Sequence, residues 1–217
     1  MSKLNVGILG AGGMGQVHGR SLSQIEDVQV AAVCNSTPEK AQKLADSLGA
    51  AAYTDFNEML EREKLDILYI LLPPYAHNGQ FEKAAERGIN IFIEKPIAIS
   101  GERGKSMADA AKKSGIKTQV GFHMRYGSAV QKLRSMIEAG QTGRPVLFNG
   151  RYQCNSLHTP WWIDVNRCGG QIFEQAIHVY DMCRYFFGHP KSVAGFMGNV
   201  CHADVPGYTV EDVSASV

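Results

Sequence analysis

Short apolar runs alternate with helix-forming segments over the first 121 residues, and this alternation constrains the fold more than any other feature of the sequence. The runs have the near-continuous apolarity of strands that are covered on both faces. They occupy residues 4–10, 28–34, 51–54, 66–72, 89–93 and 116–122. Strands that alternate with helices predict right-handed βαβ units. We therefore predict an α/β fold with a doubly wound parallel sheet over residues 1–121.

Helix start signals stand between these runs. Thr37 precedes Pro38, which is typical of an N-cap followed by proline at the first helical position. Asp55 stands three residues before Glu58, as in a capping box. Ser100 is predicted to cap a helix that runs to about residue 113. These signals place helices where crossover connections between parallel strands need them.

The pattern changes after residue 121. We predict, in order, a helix, a long strand, a polar and aromatic loop, a helix and two strands over 127–139, 144–156, 157–170, 171–187, 191–201 and 208–217. This order predicts a second, α+β domain over residues 122–217. The last segment alternates apolar and polar residues and stops without a turn signal. We therefore expect an incomplete second domain, whose last strand is unpaired on one side or paired with another molecule.

Composition excludes several classes of function. The chain has 217 residues, of which 44% are hydrophobic, and its formal net charge is +1. Such a balance gives no reason to expect nucleic acid or an anionic membrane as a partner. No apolar run approaches the ~20 residues of a membrane span, and no signal-peptide pattern precedes the first strand. The five cysteines are odd in number and widely spaced, which favours free thiols in a reducing cytosol over a disulfide framework.

Glycines in G-x-G-x-x-G spacing follow the first predicted strand. Gly10 permits a tight turn, Gly12 lets the backbone approach a pyrophosphate, and Gly15 lets the next helix pack closely on the strand. The N–H groups at the start of that helix, around Gly13 and Met14, are suited to hold phosphate oxygens. The motif indicates dinucleotide binding, and the alternative is a purely structural turn.

The end of the second strand carries Asn35 and Ser36 where a ribose-reading acid is usual. An Asp or Glu at this point would accept from both ribose hydroxyls of NAD and repel the extra phosphate of NADP. Asn35 is neutral and Lys40 stands nearby, so the sequence permits either NAD or NADP and predicts weak discrimination. The alternative is that Asn35 is an ordinary loop residue.

Two opposite charges, Glu94 and Lys95, end the fifth apolar run, and Pro96 follows them. Ligands of open parallel sheets bind at the carboxyl ends of the strands. Because desolvating charges is costly unless they are paired or used, we predict that Lys95 faces a bound nicotinamide and substrate. The alternative is a lysine that reaches solvent.

Further candidate residues stand at other segment ends. The fourth run ends at Leu72 and Pro73, and His77 is predicted to enter the next helix. Glu174 and His178 stand four residues apart on a predicted helix, as a histidine oriented by a carboxylate for general-base chemistry requires. A surface ion pair is the alternative for that pair.

Residues near the predicted domain boundary and before the last helix are candidates for substrate contact. His123 and Arg125 follow the last predicted strand of the parallel sheet, and their alternative role is to link the domains. Trp162 lies beside Trp161, and an aromatic ring there is suited to stack on a sugar or on nicotinamide; the equal alternative is a hydrophobic plug. His18, His158, His189 and His202 show no ligand spacing and receive no role.

The set of motifs resembles the Gfo/Idh/MocA family of oxidoreductases. The resemblance rests on "GILGAGGMG", "LLPPYAH", "IEKP", "MIEAGQTGRPVLF" and the glycine pair that precedes Glu174 and His178, in family order. It implies a Rossmann domain followed by a domain with an open, mostly antiparallel sheet. It also implies a bound NAD or NADP, a sugar, cyclitol or related polyol as substrate, and a homo-oligomer, dimer or tetramer, formed through the open sheet.

Roles carried over from the resemblance concern two side chains above all. Lys95 matches the lysine that contacts the reacting hydroxyl, and His178 matches the catalytic acid/base. Glu174 stands where the family usually has an aspartate, which leaves its geometry toward His178 open. The implied mechanism needs no metal. The implied cofactor-binding residues are Gly10, Gly12, Gly13, Met14, Gly15, Asn35, Ser36, Leu72, Pro73, His77, Glu94 and Lys95.

Three other functions compete with this interpretation. A methyltransferase also uses a glycine-rich first loop, but it predicts an acid where Asn35 stands and has no use for Lys95. A sensor that binds nicotinamide dinucleotide without turnover stays open. A metal site of Glu174, His178 and Asp181 lacks further ligands at fixed spacing.

Overall fold

The computed structural model describes residues 3–154 and 159–217. They form two compact units, Met1–Gly121 and Phe122–Val217, which we call the first and the second unit. None of the helices in the described part of the chain combines the length and the apolarity needed to cross a membrane.

The first unit contains the predicted parallel sheet. Its strands are β1 Leu4–Leu9, β2 Val28–Cys34, β3 Ala51–Tyr53, β4 Ile67–Ile70, β5 Asn90–Ile93 and β6 Thr118–Val120. All neighbouring strands pair in parallel, in the order β3-β2-β1-β4-β5-β6. The predicted doubly wound α/β sheet is therefore confirmed. The direction of connection reverses between β1 and β4, the place where such sheets bind ligands.

Helices connect these strands. They are α1 Gly13–Leu22, α2 Pro38–Leu48, α3 Phe56–Arg62, α4 Gln80–Glu86 and α5 Gly101–Ser114. Asp55 caps α3 by accepting from the N–H of Glu58 at 2.8 Å, and Ser100 caps α5 by accepting from the N–H of Arg103 at 3.2 Å. Thr37 stands at the N-cap of α2 without a side-chain capping bond.

Apolar side chains pack on both faces of the sheet. On one face β1 and β2 pack against α1 and α2, and the buried residues include Val6, Ile8, Leu22, Val33 and Leu44. On the other face the strands pack against α3, α4 and α5, and the buried residues include Leu68, Ile70, Met59, Phe81 and Met107. Burial on both faces explains why β1, β2, β4 and β5 are almost continuously apolar.

The second unit combines short helices with a small sheet. The helices are α6 Ser128–Glu138, α7 Val165–Cys168 and α8 Ile177–Phe187. The strands β7 Gly195–Gly198 and β8 Val213–Ser216 pair in an antiparallel manner. They are the observed parts of the two strands predicted near 191–201 and 208–217. Within the described residues, β8 has β7 as its one neighbouring strand.

The long strand predicted over 144–156 is wrong for its described residues, 144–154, which form no strand; residues 155 and 156 lie outside the described range. Val146 and Leu147 have the apolar character of a strand but are 85% and 82% exposed. A strand exists only where a neighbour completes its hydrogen-bond ladder, and no described segment of the second unit pairs with 144–154.

The helix predicted over 171–187 has two parts. Residues Ile172–Ala176 form a π-helical turn, and α8 continues from Ile177. Apolar spacing in the sequence is compatible with both kinds of helix, so the wider turn was not predicted.

Candidate active site

The glycine loop between β1 and α1 has the geometry that a pyrophosphate needs. Gly10 has a φ of +108°, and a Cβ there would lie 2.7 Å from the carbonyl oxygen of Leu71. A Cβ on Gly15 would overlap the carbonyl oxygen of Gly10. By contrast, a Cβ on Gly12 or Gly13 would meet no atom of the described residues within 4 Å. The first and third glycines therefore close the loop, while the middle ones leave open space beside the backbone.

The start of α1 is also suited to an anion. Gly12 is the N-cap and supplies no side-chain acceptor, and the first turn contains no acidic residue. The first N–H groups of an α-helix have no intrahelical partner, so those of Gly13, Met14 and Gly15 are donors for a phosphate. Met14 is exposed at the mouth of this loop.

Asn35 ties the end of β2 to the glycine loop. Its Oδ1 accepts from the N–H of Ala11 at 3.1 Å, and its Nδ2 donates to the carbonyl of Thr37 at 3.3 Å. Ser36 beside it is exposed. Asn35 thus helps to hold the glycine loop in place. It also stands at the end of β2, the position that contacts the ribose in dinucleotide-binding folds.

The carboxyl ends of β1, β4 and β5 lie side by side because these strands are parallel neighbours. Gly10 follows β1, Leu72 and Pro73 follow β4, and Lys95 follows β5. Lys95 is half-buried and is joined to the buried Pro96 by a cis peptide bond. The sheet therefore brings the three predicted loops of the first unit to one edge.

His77 connects two of these loops and does not enter a helix as predicted. It follows a 3-10 turn, Pro74–Ala76, and α4 begins three residues later, because Gly79 with its φ of +92° interrupts the chain. The buried imidazole places Nδ1 2.7 Å from the carbonyl oxygen of Ile97 and Nε2 3.2 Å from that of Leu72. Burial lowers the pKa of His77 despite these two acceptors. A neutral ring donates to only one of them at a time.

Glu94 is buried next to a histidine that received no role from the sequence. His18 of α1 places Nε2 2.8 Å from Oε1 of Glu94, and the N–H of Lys95 donates to Oε2 at 3.0 Å. The signal for His18 was its position three residues after Gly15, on the face of α1 where Gly15, Gly19 and Leu22 are buried.

In the second unit, the predicted pair Glu174 and His178 is buried rather than on the surface. The two side chains are 5% and 7% exposed. The surface ion pair considered for them is therefore excluded. The ring centroid of His123 lies 4.8 Å from that of His178, and Phe122 meets the same ring edge-on at 6.2 Å.

The glycine pair before Glu174 has a local cause. Gly169 and Gly170 have φ values of +81° and +105°, which residues other than glycine rarely adopt. The Glu211 carboxylate occupies the space beside Gly170, where a Cβ would lie 2.6 Å from Oε2, and it accepts from the N–H of Ile172 at 2.8 Å. Glu211 thereby fixes the start of the π-helical turn that carries Glu174.

Tyr152 is a neighbour of this turn that sequence reasoning missed, because it lies in the segment predicted as a strand. Its hydroxyl donates to Oε1 of Gln175. Burial, with nearby Cys154 and Glu174, raises the pKa of Tyr152. Burial also raises the pKa of the Cys168 thiol, and Glu174 contributes to that increase.

Arg125 is engaged by a buried carboxylate. Its Nε donates to Oδ2 of Asp181 at 2.8 Å, and its second bond joins Nη2 to Oδ1. The guanidinium also lies over the rings of Phe122 and Tyr185, at 5.5 and 5.2 Å. This bidentate pair attaches the 3-10 turn His123–Tyr126 to α8 and so holds His123 beside His178.

Replacement of Arg125 by Met is expected to destabilise the second unit by about 2 kcal/mol, because the buried Asp181 side chain loses both of its hydrogen bonds to the guanidinium. Both tryptophans of the chain, Trp161 and Trp162, lie in the second unit, so urea unfolding followed by tryptophan fluorescence reports on that unit. Arg184→Met at an exposed position of α8 is the control, with an expected change below about 0.5 kcal/mol. Equal effects of the two replacements would contradict a structural role for the Arg125 pair.

The backbone of Trp162 contacts the residues that precede the π-helical turn. Its carbonyl accepts from Sγ of Cys168 at 3.4 Å and from Nε2 of Gln171 at 3.5 Å, and Trp161 meets its ring edge-on. His158 lies outside the described residues. Over residues 3–154 and 159–217, no group of three His, Cys, Asp or Glu side chains is arranged to hold a metal ion.

Comparison with known protein families gives two matches. A model described as "Oxidoreductase family, NAD-binding Rossmann fold" covers residues 4–122, and one described as "GFO/IDH/MocA C-terminal domain" covers residues 130–217. The two matches together include both units of the chain. The first alone covers more than half of it.

Characterised proteins with similar sequences include sugar and cyclitol dehydrogenases. The chain is 31% identical over 183 residues to scyllo-inositol 2-dehydrogenase (NAD(+)) of Bacillus subtilis, a match that includes 83% of this chain and 53% of the relative. It is 31% identical over 199 residues to D-glucoside 3-dehydrogenase of Escherichia coli, with 88% and 57% covered. The chain thus spans about half the length of the curated relatives it matches.

Solved structures share the fold. The WlbA dehydrogenase of Bordetella pertussis, in complex with NADH and UDP-GlcNAcA, has a TM-score of 0.85 at 24% identity, with 99% of this chain and 67% of that chain covered. Levoglucosan dehydrogenase, in complex with NADH and levoglucosan, has a TM-score of 0.80 at 28% identity, with 91% and 57% covered. The family matches, the similar sequences and the shared fold agree: the chain belongs to the Gfo/Idh/MocA oxidoreductase family.

Proposed function

We propose that the protein is an NAD(P)-dependent dehydrogenase that transfers a hydride between the nicotinamide and a hydroxyl or carbonyl group of a sugar, cyclitol or related polyol. The observation that carries this proposal is the sheet edge of the first unit. The open glycine loop after β1 and Lys95 after β5 stand at the same edge of one parallel sheet. Phosphate binding and a cation for a substrate oxygen are thereby combined in one unit.

The names of the relatives support the substrate class. They act on an inositol, a glucoside and levoglucosan, all of which are polyhydroxylated rings. Their reactions differ in ring and position, so the class is a secondary alcohol on such a ring rather than one compound. Because the chain spans about half of each relative, the activity is proposed for the full-length protein.

We assign to Lys95 the role of contacting the reacting oxygen of the substrate. Oxidation of an alcohol leaves negative charge on that oxygen while the hydride departs, and an ammonium donor stabilises the charge. The half-buried position of Lys95 strengthens this electrostatic contribution relative to bulk water. In the reverse direction the same ammonium polarises the carbonyl.

We assign to His178 the transfer of the hydroxyl proton. Its imidazole takes the hydroxyl proton during oxidation and returns it during reduction, as general acid/base catalysis requires. The buried Glu174 on the same helix stabilises the imidazolium that forms. Glu174 is one methylene longer than the family's aspartate. It lies in a π-helical turn, whose wider winding differs from that of an α-helix.

A bound nicotinamide supplies the acceptor, or the donor, of the hydride at the adjacent carbon. The residues that hold the dinucleotide are proposed to be the glycine loop with Gly13 and Met14, then Asn35 and Ser36, and the loops at Leu72 and Pro73. His77 acts in this set by joining the loop after β4 to the loop after β5.

Replacement of Asn35 by Asp is expected to lower the affinity for NADP relative to NAD by about tenfold or more, because a carboxylate repels the 2′-phosphate. An aspartate oxygen can still accept from the N–H of Ala11, and the lost bond to Thr37 affects both cofactors alike. The readout is therefore the ratio of the two dissociation constants, measured by calorimetry. Asn35→Ser is the uncharged control, and a ratio unchanged by Asp would mean that another residue reads the ribose.

The proposed function is tested by adding polyols to the full-length protein with NAD or NADP and following absorbance of the reduced nicotinamide at about 340 nm. The set includes scyllo-inositol, levoglucosan and a methyl glucoside. Turnover of at least one ring polyol is expected. Tight dinucleotide binding without turnover of any polyol would favour the sensor instead.

We further propose a homo-oligomer, dimer or tetramer, formed through the second unit. We also propose a reducing cytosol as the compartment, which suits five free thiols.

A further inference from the structure

The carboxylate of Glu94 is enclosed on three sides within the first unit. Oε1 faces Nε2 of His18 at 2.8 Å, and Oε2 accepts from the N–H of Lys95 at 3.0 Å. Gly121 closes the third side, since a Cβ there would lie 2.7 Å from Cδ of Glu94. The side chain of Glu94 is 9% exposed. Its orientation is therefore determined by the groups that contact it.

His18 is itself held in a single orientation. Its ring lies against Phe92 of β5 at a centroid distance of 4.9 Å and against Tyr69 of β4 at 5.6 Å. Tyr69 and Phe92 stack on each other at 4.6 Å, which gives the imidazole a rigid aromatic support. Because a carboxylate only accepts hydrogen bonds, Nε2 of His18 must carry the hydrogen.

These contacts form one chain of hydrogen bonds from α1 to the backbone of Lys95. The N–H of Glu94 donates separately to the carbonyl of Ile70 at 3.0 Å, as part of the sheet. The N–H of Lys95 lies beyond the sheet ladder and depends on the Glu94 carboxylate. Lys95 is thus held at its backbone by a side chain that His18 orients.

We propose that His18 is a positioning residue for the reaction: it holds Glu94 so that the Glu94 carboxylate fixes the backbone, and with it the ammonium, of Lys95. The role of Lys95 in this statement rests on the proposed function. The geometry of a donor to a developing charge must be accurate, and a displacement of about 1 Å can lower a rate by about 10²-fold. Loss of the His18 bond therefore affects turnover more than binding.

Two variants separate the bond from the packing. His18→Leu keeps an apolar side chain against Tyr69 and Phe92 but removes the donor. His18→Gln keeps an N–H donor near the place of Nε2. His189→Leu, at an exposed position in the second unit, is the control for replacing a histidine.

The first measurement is amide hydrogen exchange by NMR, which requires no substrate. In His18→Leu we expect exchange of the Lys95 amide to accelerate by about tenfold or more, while the adjacent Glu94 amide keeps its protection. His18→Gln should restore the protection of Lys95. Unchanged exchange at Lys95 in His18→Leu, or equal acceleration at Glu94 and Lys95, would overturn the proposal.

The second measurement uses scyllo-inositol and the other ring polyols with NAD. In His18→Leu we expect kcat to fall by about tenfold with little change in the dissociation constant of NAD, and His18→Gln should recover most of the loss. A normal kcat in a variant whose Lys95 amide has lost protection would overturn the catalytic part. If the parent protein oxidises no polyol, the proposed function fails, and the exchange experiment still decides whether His18 holds Glu94 and Lys95.

Discussion

Replacement of Lys95 by Met is expected to lower polyol turnover by about 10²-fold or more, the scale of one lost electrostatic stabiliser. Methionine keeps most of the length and the apolar stem of the lysine and removes the ammonium group with its charge and its donors. Because the glycine loop is unchanged, the dissociation constants of NAD and NADP should stay within about threefold of the parent values. Initial rates at saturating dinucleotide, with calorimetry for binding, measure both quantities.

The matched control is Lys112→Met at an exposed position of α5, which should leave turnover unchanged. His178→Asn is the companion variant, since it removes the proposed proton acceptor, and it should lower turnover on the same scale. Normal turnover by Lys95→Met on a verified substrate would remove the mechanism. Loss of dinucleotide binding in the same variant would instead make Lys95 a cofactor ligand.

The second large effect is expected at Gly12. Valine at this position should weaken dinucleotide binding by about 10²-fold, because its side chain fills the space that a pyrophosphate needs beside the loop. The folded protein itself has room for the change. Within the described part of the chain, a Cβ on Gly12 has no neighbour within 4 Å, and the backbone is extended there, with φ of −75° and ψ of −160°. Thermal unfolding of the Gly12→Val protein without cofactor should therefore shift little.

Gly101→Val provides the control, because a Cβ at the start of α5 also lies more than 4 Å from every neighbouring atom that the structure describes. It should leave both folding and dinucleotide binding intact. Gly15→Val should behave in the opposite way to Gly12→Val, since its side chain would overlap the carbonyl of Gly10 and disrupt the fold. Unchanged dinucleotide affinity in Gly12→Val would refute binding at this loop.

The first unit was predictable because its signals are local. Strands buried on both faces must be apolar along their whole length, so β1 and β4 are visible without any knowledge of their neighbours. The caps at Asp55 and Ser100 are likewise properties of a few consecutive residues. The glycine spacing combined with its place after β1 predicted a loop whose middle glycines are open.

The features that were missed depend on residues distant in sequence. His18 and Glu94 are 76 positions apart, and only the packing of α1 on β5 brings their side chains together. Arg125 was a candidate for substrate contact or for linking the domains, because its place after β6 could be predicted but its partner Asp181, 56 positions away, could not. The segment 144–154 has the composition of a strand, but strand formation also needs a neighbour that the sequence pattern does not identify.

The π-helical turn at Ile172–Ala176 has a consequence for how this helix tolerates change in length. A π turn contains one more residue than an α turn, so the segment behaves as a one-residue insertion absorbed within a continuous helix. Deleting a residue there would restore α-helical winding and leave the residues before the turn in nearly the same phase relative to α8, because fewer residues at about 100° each turn as far as the more tightly spaced residues of a π turn. Gly169 and Gly170, with the Glu211 carboxylate beside Gly170, would keep their direction relative to His178, and the change would be confined to the turn itself. The extra residue thus sets the direction of the side chains within the turn, Glu174 among them, a property that substitution at single positions leaves unaltered.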